Sequence, residues 1–326
     1  MRFNLKTPLL LLLIGGFLAS VAPSDLSAQQ NTQDWKKKYE KWREDSLRIA
    51  RENERKKAEL EKKRIENKKR SLYNEAKRQY TYRNYSKAIQ SLNEAINIDS
   101  TFVKALYLRG LCYQKSRKPE LAIKDYRAAI RHNSKYAPAY FALGTLLTRL
   151  GRYQQAVDNY NAAIAADPKS YKSYYQLAVV YRKMNKPAQA IQALEKATEI
   201  KDDYFKAFYM LGDLYSKEGK LKKAIAALER AATLKPKDAP TLYLLASSYN
   251  RAQNAAQALQ VAQNGLQLRN KEWDAHLAWE AGVAAKSLGK FQLAITYFQR
   301  AARKSAYKEA ADFEIKQLQR EASKSE

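Results

Sequence analysis

The sequence has few of the residues on which enzyme and metal sites depend. Its 326 residues include one cysteine, Cys112, and two histidines, His132 and His276. A single cysteine cannot form an internal disulfide. The HExxH, GxSxG, Walker-type and CxxC patterns do not occur in the sequence. We therefore predict that the protein is not an enzyme and has no catalytic residue, metal site or cofactor.

Acidic residues are also scarce. The chain has 33 Asp and Glu against 60 Lys and Arg, which gives a formal net charge of +27. Excess positive charge of this size favours acidic partners through a long-range attraction that salt weakens. The charge balance therefore points to an acidic partner.

One residue type recurs at a fixed interval. Alanine returns every 34 residues, and the last of the series comes two residues late: Ala88, Ala122, Ala156, Ala190, Ala224, Ala258 and Ala294. A period of 20 to 50 residues indicates stacked copies of one supersecondary unit. Between the predicted helices lie residues that end helices, namely Gly151, Gly219, Gly289, Pro119 and Pro187.

A fuller pattern surrounds each of these alanines. The copy that starts at Ala137 reads Tyr140, Leu143, Gly144, Leu147, Ala156, Tyr160, Ala163, Pro168, and the copy that starts at Phe205 reads Phe208, Leu211, Gly212, Tyr215, Ala224, Leu228, Ala231, Pro236. This pattern resembles the tetratricopeptide repeat family, whose unit is a helix–turn–helix. Small residues at positions 8 and 20 of each copy are expected where the two helices cross.

The resemblance implies an all-α fold, an α-solenoid of seven repeat units. We expect the array to span residues 69–308, followed by a capping helix and tail at 309–326. The seven copies are 69–102, 103–136, 137–170, 171–204, 205–238, 239–272 and 275–308. The apolar stripe Ala311, Ile315, Leu318 and Ala322 predicts the cap, because the last copy of an array would otherwise expose its packing face.

The N-terminus has the layout of a secretory signal. Arg2 and Lys6 precede an apolar run from Leu9 to Ala22, and Ala28 precedes Gln29. The run is shorter than the ~20 residues that a spanning helix needs. We predict that residues 1–28 are a signal peptide, as in exported bacterial proteins, and that the mature chain has no transmembrane helix. The expected location is the periplasm or cell envelope, and an uncleaved membrane anchor is the alternative.

Residues 29–68 form a segment of a different kind, which we call the arm. From Lys36 to Arg70 it carries 16 basic and 8 acidic residues without glycine or proline, which predicts a charged helix. Trp35, Tyr39 and Trp42 give it one aromatic stripe. The arm is either a solvated helix that leads into the array or a binding element for a membrane or a polyanion.

The resemblance also implies where a partner would bind. In such arrays the first helix of each copy lines a concave groove through positions 2, 5, 9, 12 and 13. Position 5 is aromatic in every copy: Tyr73, Tyr107, Phe141, Tyr175, Tyr209, Tyr243 and Trp279. Cations at positions 2 and 13 include Lys104, Lys172, Lys183, Lys206, Lys217 and Arg251. Aromatic faces beside cations suit an extended ligand with apolar and acidic groups, although tyrosine at position 5 and lysine at position 13 are common in the family itself.

Several groove positions bear on particular mechanisms. No consecutive copies carry the Lys, Arg and Asn set with which related domains bind the carboxylate of chaperones, so a co-chaperone function is not expected. Asp213 and Glu280 are expected to be solvated or paired with lysine. Trp273 and Asp274 are the two extra residues before the last copy, and Trp273 should either cover this joint or form a contact patch.

From the sequence we therefore predict a non-catalytic scaffold or adaptor of the cell envelope. Its partner would be an acidic protein or peptide held in the aromatic-basic groove. The alternative is a protein that binds anionic envelope polymers such as lipopolysaccharide, cell-wall polymer or extracellular nucleic acid.

Overall fold

A computed structural model of the protein describes residues 26–322, with side chains from 31 to 321. The signal peptide predicted for residues 1–28 therefore lies outside the described residues, apart from its last three. The described chain contains the helices α1 (Leu26–Thr81), α2 (Tyr85–Ile98), α3 (Val103–Lys115), α4 (Pro119–His132), α5 (Ala137–Arg149), α6 (Tyr153–Ala166), α7 (Tyr171–Lys183), α8 (Pro187–Ile200), α9 (Phe205–Lys217), α10 (Leu221–Leu234), α11 (Ala239–Arg251), α12 (Ala255–Gln267), α13 (Asp274–Ser287), α14 (Phe291–Ala301) and α15 (Ser305–Ala322). No strand occurs between residues 26 and 322.

The arm and the first helix of copy 1 form one continuous helix, α1, although the sequence pattern treats them as two segments. Residues 26–81 contain no glycine or proline that would interrupt the helix. Ion pairs one helical turn apart, Glu52–Lys56 and Glu59–Lys63, each have a nitrogen–oxygen distance of 2.7 Å. The chain divides into two compact units between Leu72 and Tyr73, within this helix.

The second unit contains the repeats. From α3 to α14 the helices pack as pairs, each pair being one copy, and the second helix of every pair also packs against the first helix of the next copy. The predicted helix crossings are confirmed, because the alanine at position 20 is fully buried in all seven copies. Position 8, where glycine or alanine was predicted to fill the crossing, is likewise buried throughout.

Each pair of helices is joined by a turn with one residue in the left-handed region. This residue is always at position 15 of the copy, and its φ lies between 56° and 74°. The seven residues are Arg83, Arg117, Gly151, Asn185, Gly219, Gln253 and Gly289. Glycine adopts this conformation without steric cost, whereas other residues are strained there. The turn geometry is therefore a property of the repeat and does not depend on glycine.

The C-terminal cap forms as predicted. Helix α15 packs against α14 and α13, and it buries Ala311 and Leu318 completely while Ile315 is half-buried. The fourth residue of the stripe, Ala322, lies beyond the described side chains. Within residues 26–322, no helix combines the length and the apolar content that crossing a membrane requires.

Candidate functional site: the face lined by the first helices

The seven aromatic side chains at position 5 form a row, one ring from each copy. Every one of them is half-buried, so each side chain is packed in part and accessible in part. Burial raises the pKa of the tyrosines in the row, which keeps their hydroxyl groups protonated at neutral pH. The row therefore offers seven uncharged rings, five of which carry a hydroxyl group.

Most of these rings also serve the joint between copies. An aromatic residue covers the ring of the preceding copy in five cases; in four of them it is the residue just before the next first helix, and in the fifth it is Tyr307 of α15. The pairs and their centroid distances are Tyr73–Phe102, 5.3 Å; Tyr107–Tyr136, 5.5 Å; Tyr175–Tyr204, 5.2 Å; Tyr243–Trp273, 5.4 Å; and Trp279–Tyr307, 5.4 Å. Aromatic pairs at such distances stabilise the packing beyond the area they bury. In these five copies the position-5 ring therefore helps to hold the stack together.

Two rings, Phe141 and Tyr209, have no aromatic residue at the joint that follows them. The joint residues there are Ser170 and Asp238, and both are engaged at the start of the next helix. The Ser170 hydroxyl oxygen lies 2.9 Å from the Ser173 hydroxyl oxygen. Asp238 Oδ2 accepts hydrogen bonds from the backbone nitrogen and the hydroxyl group of Thr241, at 3.1 and 2.6 Å. Phe141 and Tyr209 are thus the rings least committed to the joints.

The predicted groove cations are all exposed, but two of them are already bound. Arg251 Nη1 donates to the backbone oxygen and the hydroxyl oxygen of Ser216, at 2.8 and 2.7 Å. Lys217 Nζ lies 2.8 Å from Asp213 Oδ2, so the expectation for Asp213 is confirmed. Lys217 and Arg251 therefore have less to offer a ligand than the sequence pattern suggests.

Other predicted cations lie over rings outside the row. Lys172 Nζ is 5.8 Å from the ring centroid of Tyr171, and Lys183 Nζ is 5.9 Å from that of Tyr153. The remaining two, Lys104 and Lys206, have no ion pair or ring contact within the described part of the chain. Lys104 and Lys206 are thus the predicted cations that stay available.

The sequence pattern did not single out Arg182, which lies at position 12 of copy 4. Its side chain is exposed and makes no ion pair or hydrogen bond with any residue that the structure describes. Burial raises the pKa of both Tyr175 and Tyr209, and the positive charge of Arg182 opposes this rise, whereas Asp213 and Asp238 add to it at Tyr209. Position 12 holds a different residue type in each copy, so the repeat pattern gave no signal for it. Phe141, Tyr175, Arg182, Lys206 and Tyr209 define what we call the central groove.

At the C-terminal end of the row, several aromatic rings pack against one another. His276 packs against the rings of Tyr243, Trp273 and Tyr307, with centroid distances of 5.1 to 5.5 Å. Burial and the nearby Lys304 lower the pKa of His276, which keeps its imidazole neutral. Trp273 is half-buried in this cluster, so of the two roles considered for it, covering the joint is the one the packing shows.

Glu280 corrects another expectation. Its side chain is neither solvated nor paired with lysine but buried, and Asn250 Nδ2 donates to its Oε2 atom at 2.7 Å and to its backbone oxygen at 3.0 Å. Burial raises the pKa of this carboxyl. The sequence could not reveal that Glu280 is buried. Glu280 lies at position 6 of the last copy, and whether that position faces solvent or the core depends on how this copy stacks.

The described residues contain no cluster of three or more His, Cys, Asp or Glu that could hold a metal ion. His132 is exposed at the end of α4, far along the chain from His276. Cys112 is buried, and burial raises the pKa of its thiol to about 12, so the thiolate is not formed at neutral pH.

Comparisons with known proteins agree with this architecture. Three family models described as tetratricopeptide repeat match residues 107–171, 147–214 and 205–238. Together with the helix pairs described above, these matches show that the chain belongs to the tetratricopeptide repeat proteins. Comparison with curated proteins finds no match.

Solved structures share the fold at low sequence identity. A repeat protein from Cytophaga hutchinsonii is 18% identical, with a TM-score of 0.62 over 74% of this chain and 99% of that chain. PilF of Pseudomonas aeruginosa is 21% identical, with a TM-score of 0.55 over 64% and 96% of the two chains. YrrB, a tetratricopeptide repeat protein described as having an unusual peptide-binding site, is 21% identical to this chain. Its TM-score is 0.51 over 57% of this chain and 96% of that chain.

Proposed function

We propose that the protein is an exported, non-catalytic scaffold that binds an acidic segment of another protein in the central groove. Membership of the tetratricopeptide repeat family and the peptide-binding site named for YrrB support an interaction function. The observation that carries the proposal is that two consecutive first helices, α7 and α9, each hold a half-buried tyrosine, Tyr175 or Tyr209, together with an exposed cation that has no ion pair among the described residues. Exposed cations together with partly accessible aromatic rings favour a carboxylate next to an apolar side chain.

The location in the cell envelope rests on the sequence of residues 1–28. Export would bring the scaffold together with envelope proteins and would keep it away from cytoplasmic nucleic acid. A strongly basic surface would also speed the encounter with an acidic partner.

Affinity capture from an envelope extract tests this proposal when it is combined with two matched variants. Arg182→Gln/Lys206→Gln removes two exposed cations from first helices, and Lys124→Gln/Arg127→Gln removes two exposed cations from the second helix α4. The bound proteins, identified by mass spectrometry, should be lost or reduced with the first variant and kept with the second. Equal capture by both variants would place the interaction elsewhere.

The alternative, binding of an anionic polymer, is favoured by a different surface. The seven turns within the copies form what we call the turn edge, residues 81–87, 115–121, 149–155, 183–189, 217–223, 251–257 and 287–293. These turns hold fifteen basic residues, all exposed, and only two acidic residues. The six joints at 98–104, 132–138, 166–172, 200–206, 234–240 and 268–274 hold ten basic and seven acidic residues. The positive charge is thus concentrated along one edge of the copies.

The turns of copies 2, 3 and 4 are in contact, so this edge is continuous across these three copies. Arg152 Nη2 of copy 3 lies 3.2 Å from Glu120 Oε1 of copy 2, and Lys183 of copy 4 lies over Tyr153 of copy 3. A row of cations suits a polymer with regularly spaced phosphates, whose binding falls steeply with salt.

Polyphosphate of defined length provides the test of this alternative. Lys220→Gln/Lys222→Gln/Lys223→Gln should weaken binding and lower the salt dependence, whereas the equal charge loss Lys135→Gln/Lys169→Gln/Lys237→Gln at the joints should have the smaller effect. If both variants lose affinity equally, net charge alone accounts for the binding. That result would exclude the turn edge as a specific binding surface for the polymer.

A further inference from the structure

Three large aromatic side chains of α1 are exposed in a row. Trp35, Tyr39 and Trp42 keep 68%, 42% and 53% of their surface accessible to solvent. Their spacing of four and three residues places them on one face of the helix, and the rings of Tyr39 and Trp42 lie with centroids 6.1 Å apart and planes inclined by 30°. Contiguous exposed apolar surface of this kind marks an interaction site. We call these three residues the aromatic stripe.

The aromatic stripe is surrounded by cations. Lys36, Lys37, Lys38, Lys41 and Arg43 fall within or beside it, against Glu40 as the single acid between Trp35 and Arg43. Lys38 Nζ lies 5.7 Å from the ring centroid of Trp35. The segment therefore combines exposed rings with a local excess of positive charge.

The residue types indicate the kind of partner. Tryptophan and tyrosine have an apolar ring and a polar hydrogen-bonding group, which suits the boundary between lipid headgroups and acyl chains. Lysine and arginine beside them attract anionic headgroups, and their aliphatic stems reach along an apolar surface while the charge stays in water. Leucine and isoleucine, the usual residues of a buried protein seam, are absent from the aromatic stripe.

We propose that the aromatic stripe docks the protein on a membrane surface that contains anionic lipid. The rings enter the headgroup region from the side of α1, and the neighbouring lysines contact lipid phosphates. This inference concerns the N-terminal unit and is independent of what the central groove binds.

A second copy of this chain fits the aromatic stripe less well. A helix-to-helix seam needs apolar residues at heptad spacing over three or more heptads. On this face of α1 the series continues with Ser46, Ile49, Asn53 and Lys56, so the apolar contact ends after about two helical turns. The excess of positive charge would also make two such helices repel each other.

The test uses the protein purified in the form in which cells accumulate it. Vesicles of phosphatidylcholine with an equal share of phosphatidylglycerol are compared with vesicles of phosphatidylcholine alone, and brominated acyl chains report contact with tryptophan by quenching its fluorescence. The variant is Trp35→Ala/Trp42→Ala, and the control is Leu47→Ala/Ile65→Ala, which removes two exposed apolar residues of α1 from outside the face that holds the aromatic stripe. All four positions are solvent-exposed, and far-UV circular dichroism should confirm that every variant remains helical.

We expect quenching of the wild type and the control on anionic vesicles, and at least a tenfold weaker association with phosphatidylcholine alone. Trp35→Ala/Trp42→Ala should show at least a fivefold loss of association, and the fluorescence of its remaining tryptophans should not be quenched. Because this variant keeps every charge, binding equal to the wild type would overturn the proposal. So would unquenched wild-type fluorescence, or a wild type that self-associates in solution while the variant is monomeric.

Discussion

Gly212 lies directly beneath the side chain of Leu228. A Cβ atom at Gly212 would lie 2.6 Å from Leu228 Cδ2, and the same crossing in copy 2 would bring a Cβ atom at Gly110 to 2.6 Å from Cε1 of Tyr126. Residues at positions 8 and 24 are matched in size across the copies. Glycine faces an aromatic ring or leucine, and alanine faces leucine or alanine, as in Ala246 and Ala262 of copy 6.

This matching predicts that the stability lost through one substitution at the crossing can be partly restored by a second substitution. Gly212→Ala should destabilise the protein by about 1–3 kcal/mol through overpacking, and Leu228→Ala by about 2–5 kcal/mol through the cavity it creates. The double variant reproduces the alanine pair of copy 6, so its loss should be clearly smaller than the two single losses added together. Urea denaturation of the four proteins measures this coupling, and strict additivity would show that the two residues do not share the crossing.

Substitutions at the turn residue at position 15 should change stability in opposite directions in two copies. Gly219 has φ 72° and free space where a Cβ atom would lie, so Gly219→Ala should cost about 1–2 kcal/mol from backbone strain alone. Gln253 has φ 59° at the equivalent position, and Gln253→Gly should be neutral or should stabilise by up to about 1 kcal/mol. Thermal denaturation distinguishes these outcomes. Destabilisation by both substitutions would mean that the Gln253 side chain contributes to packing.

Glu280 predicts a pH-dependent gain in stability. Its folded-state pKa is raised by burial, so its stabilising protonated form is fully present below the ordinary glutamate pKa and is lost as pH rises through the folded-state value. Glu280→Gln removes the buried charge and can donate to Asn250 Oδ1, the buried side-chain atom recorded without a partner in the described residues. The variant should therefore melt at a higher temperature than the wild type at pH 7, with the difference shrinking towards pH 4.

Asp213→Asn serves as the matched control for this experiment, because Asp213 pairs with the solvent-facing Lys217. Its effect should stay below about 1 kcal/mol. A gain from Glu280→Gln that does not change with pH would show that the carboxyl is not the cause.

Position-5 rings that pack against an aromatic residue at the following joint should lose more stability on truncation than rings without such a partner. Tyr107 packs against both Tyr126 and Tyr136, so Tyr107→Ala should cost about 3–5 kcal/mol. Tyr209 contacts Phe205 of its own helix and has no ring at the following joint, so Tyr209→Ala should cost clearly less. Denaturation midpoints measure the costs, and capture of the partner should be lost with Tyr209→Ala while its circular dichroism is unchanged. Equal costs would refute the division into covered and uncovered rings.

Export predicts the mature N-terminus. Protein isolated from its native envelope should begin at Gln29, as determined by intact mass or N-terminal sequencing. A mature chain that retains the apolar run from Leu9 to Ala22 would contradict the signal-peptide interpretation and favour the membrane anchor.

The sequence predicted the parts of the fold that repeat. The 34-residue interval located the helix pairs, because a small residue is required wherever two helices cross, and the stripe of α15 identified the cap. It did not reveal the rings at the joints, such as Tyr136 and Tyr204, because these residues lie outside the periodic helices and their role depends on how copies stack. The hydrogen-bond and ion-pair partners of individual cations depend on side-chain conformation, which the repeat period does not determine. For this reason the sequence did not single out Arg182, and it assigned Arg251 to the groove although Arg251 is bonded to Ser216.

The two additional residues before the last copy, Trp273 and Asp274, make the last joint unlike the others. Trp273 packs on Tyr243, and Asp274 accepts from Arg300 Nε at 3.0 Å and Nη2 at 2.5 Å, so the insertion is anchored in both neighbouring copies. Adding or removing one 34-residue copy between residues 69 and 272 would create ordinary joints and leave this one intact. The same change after Asp274 would have to reproduce this particular pair of contacts. We therefore expect that copy number can vary within the interior of the array, whereas the last copy and α15 behave as one terminal block.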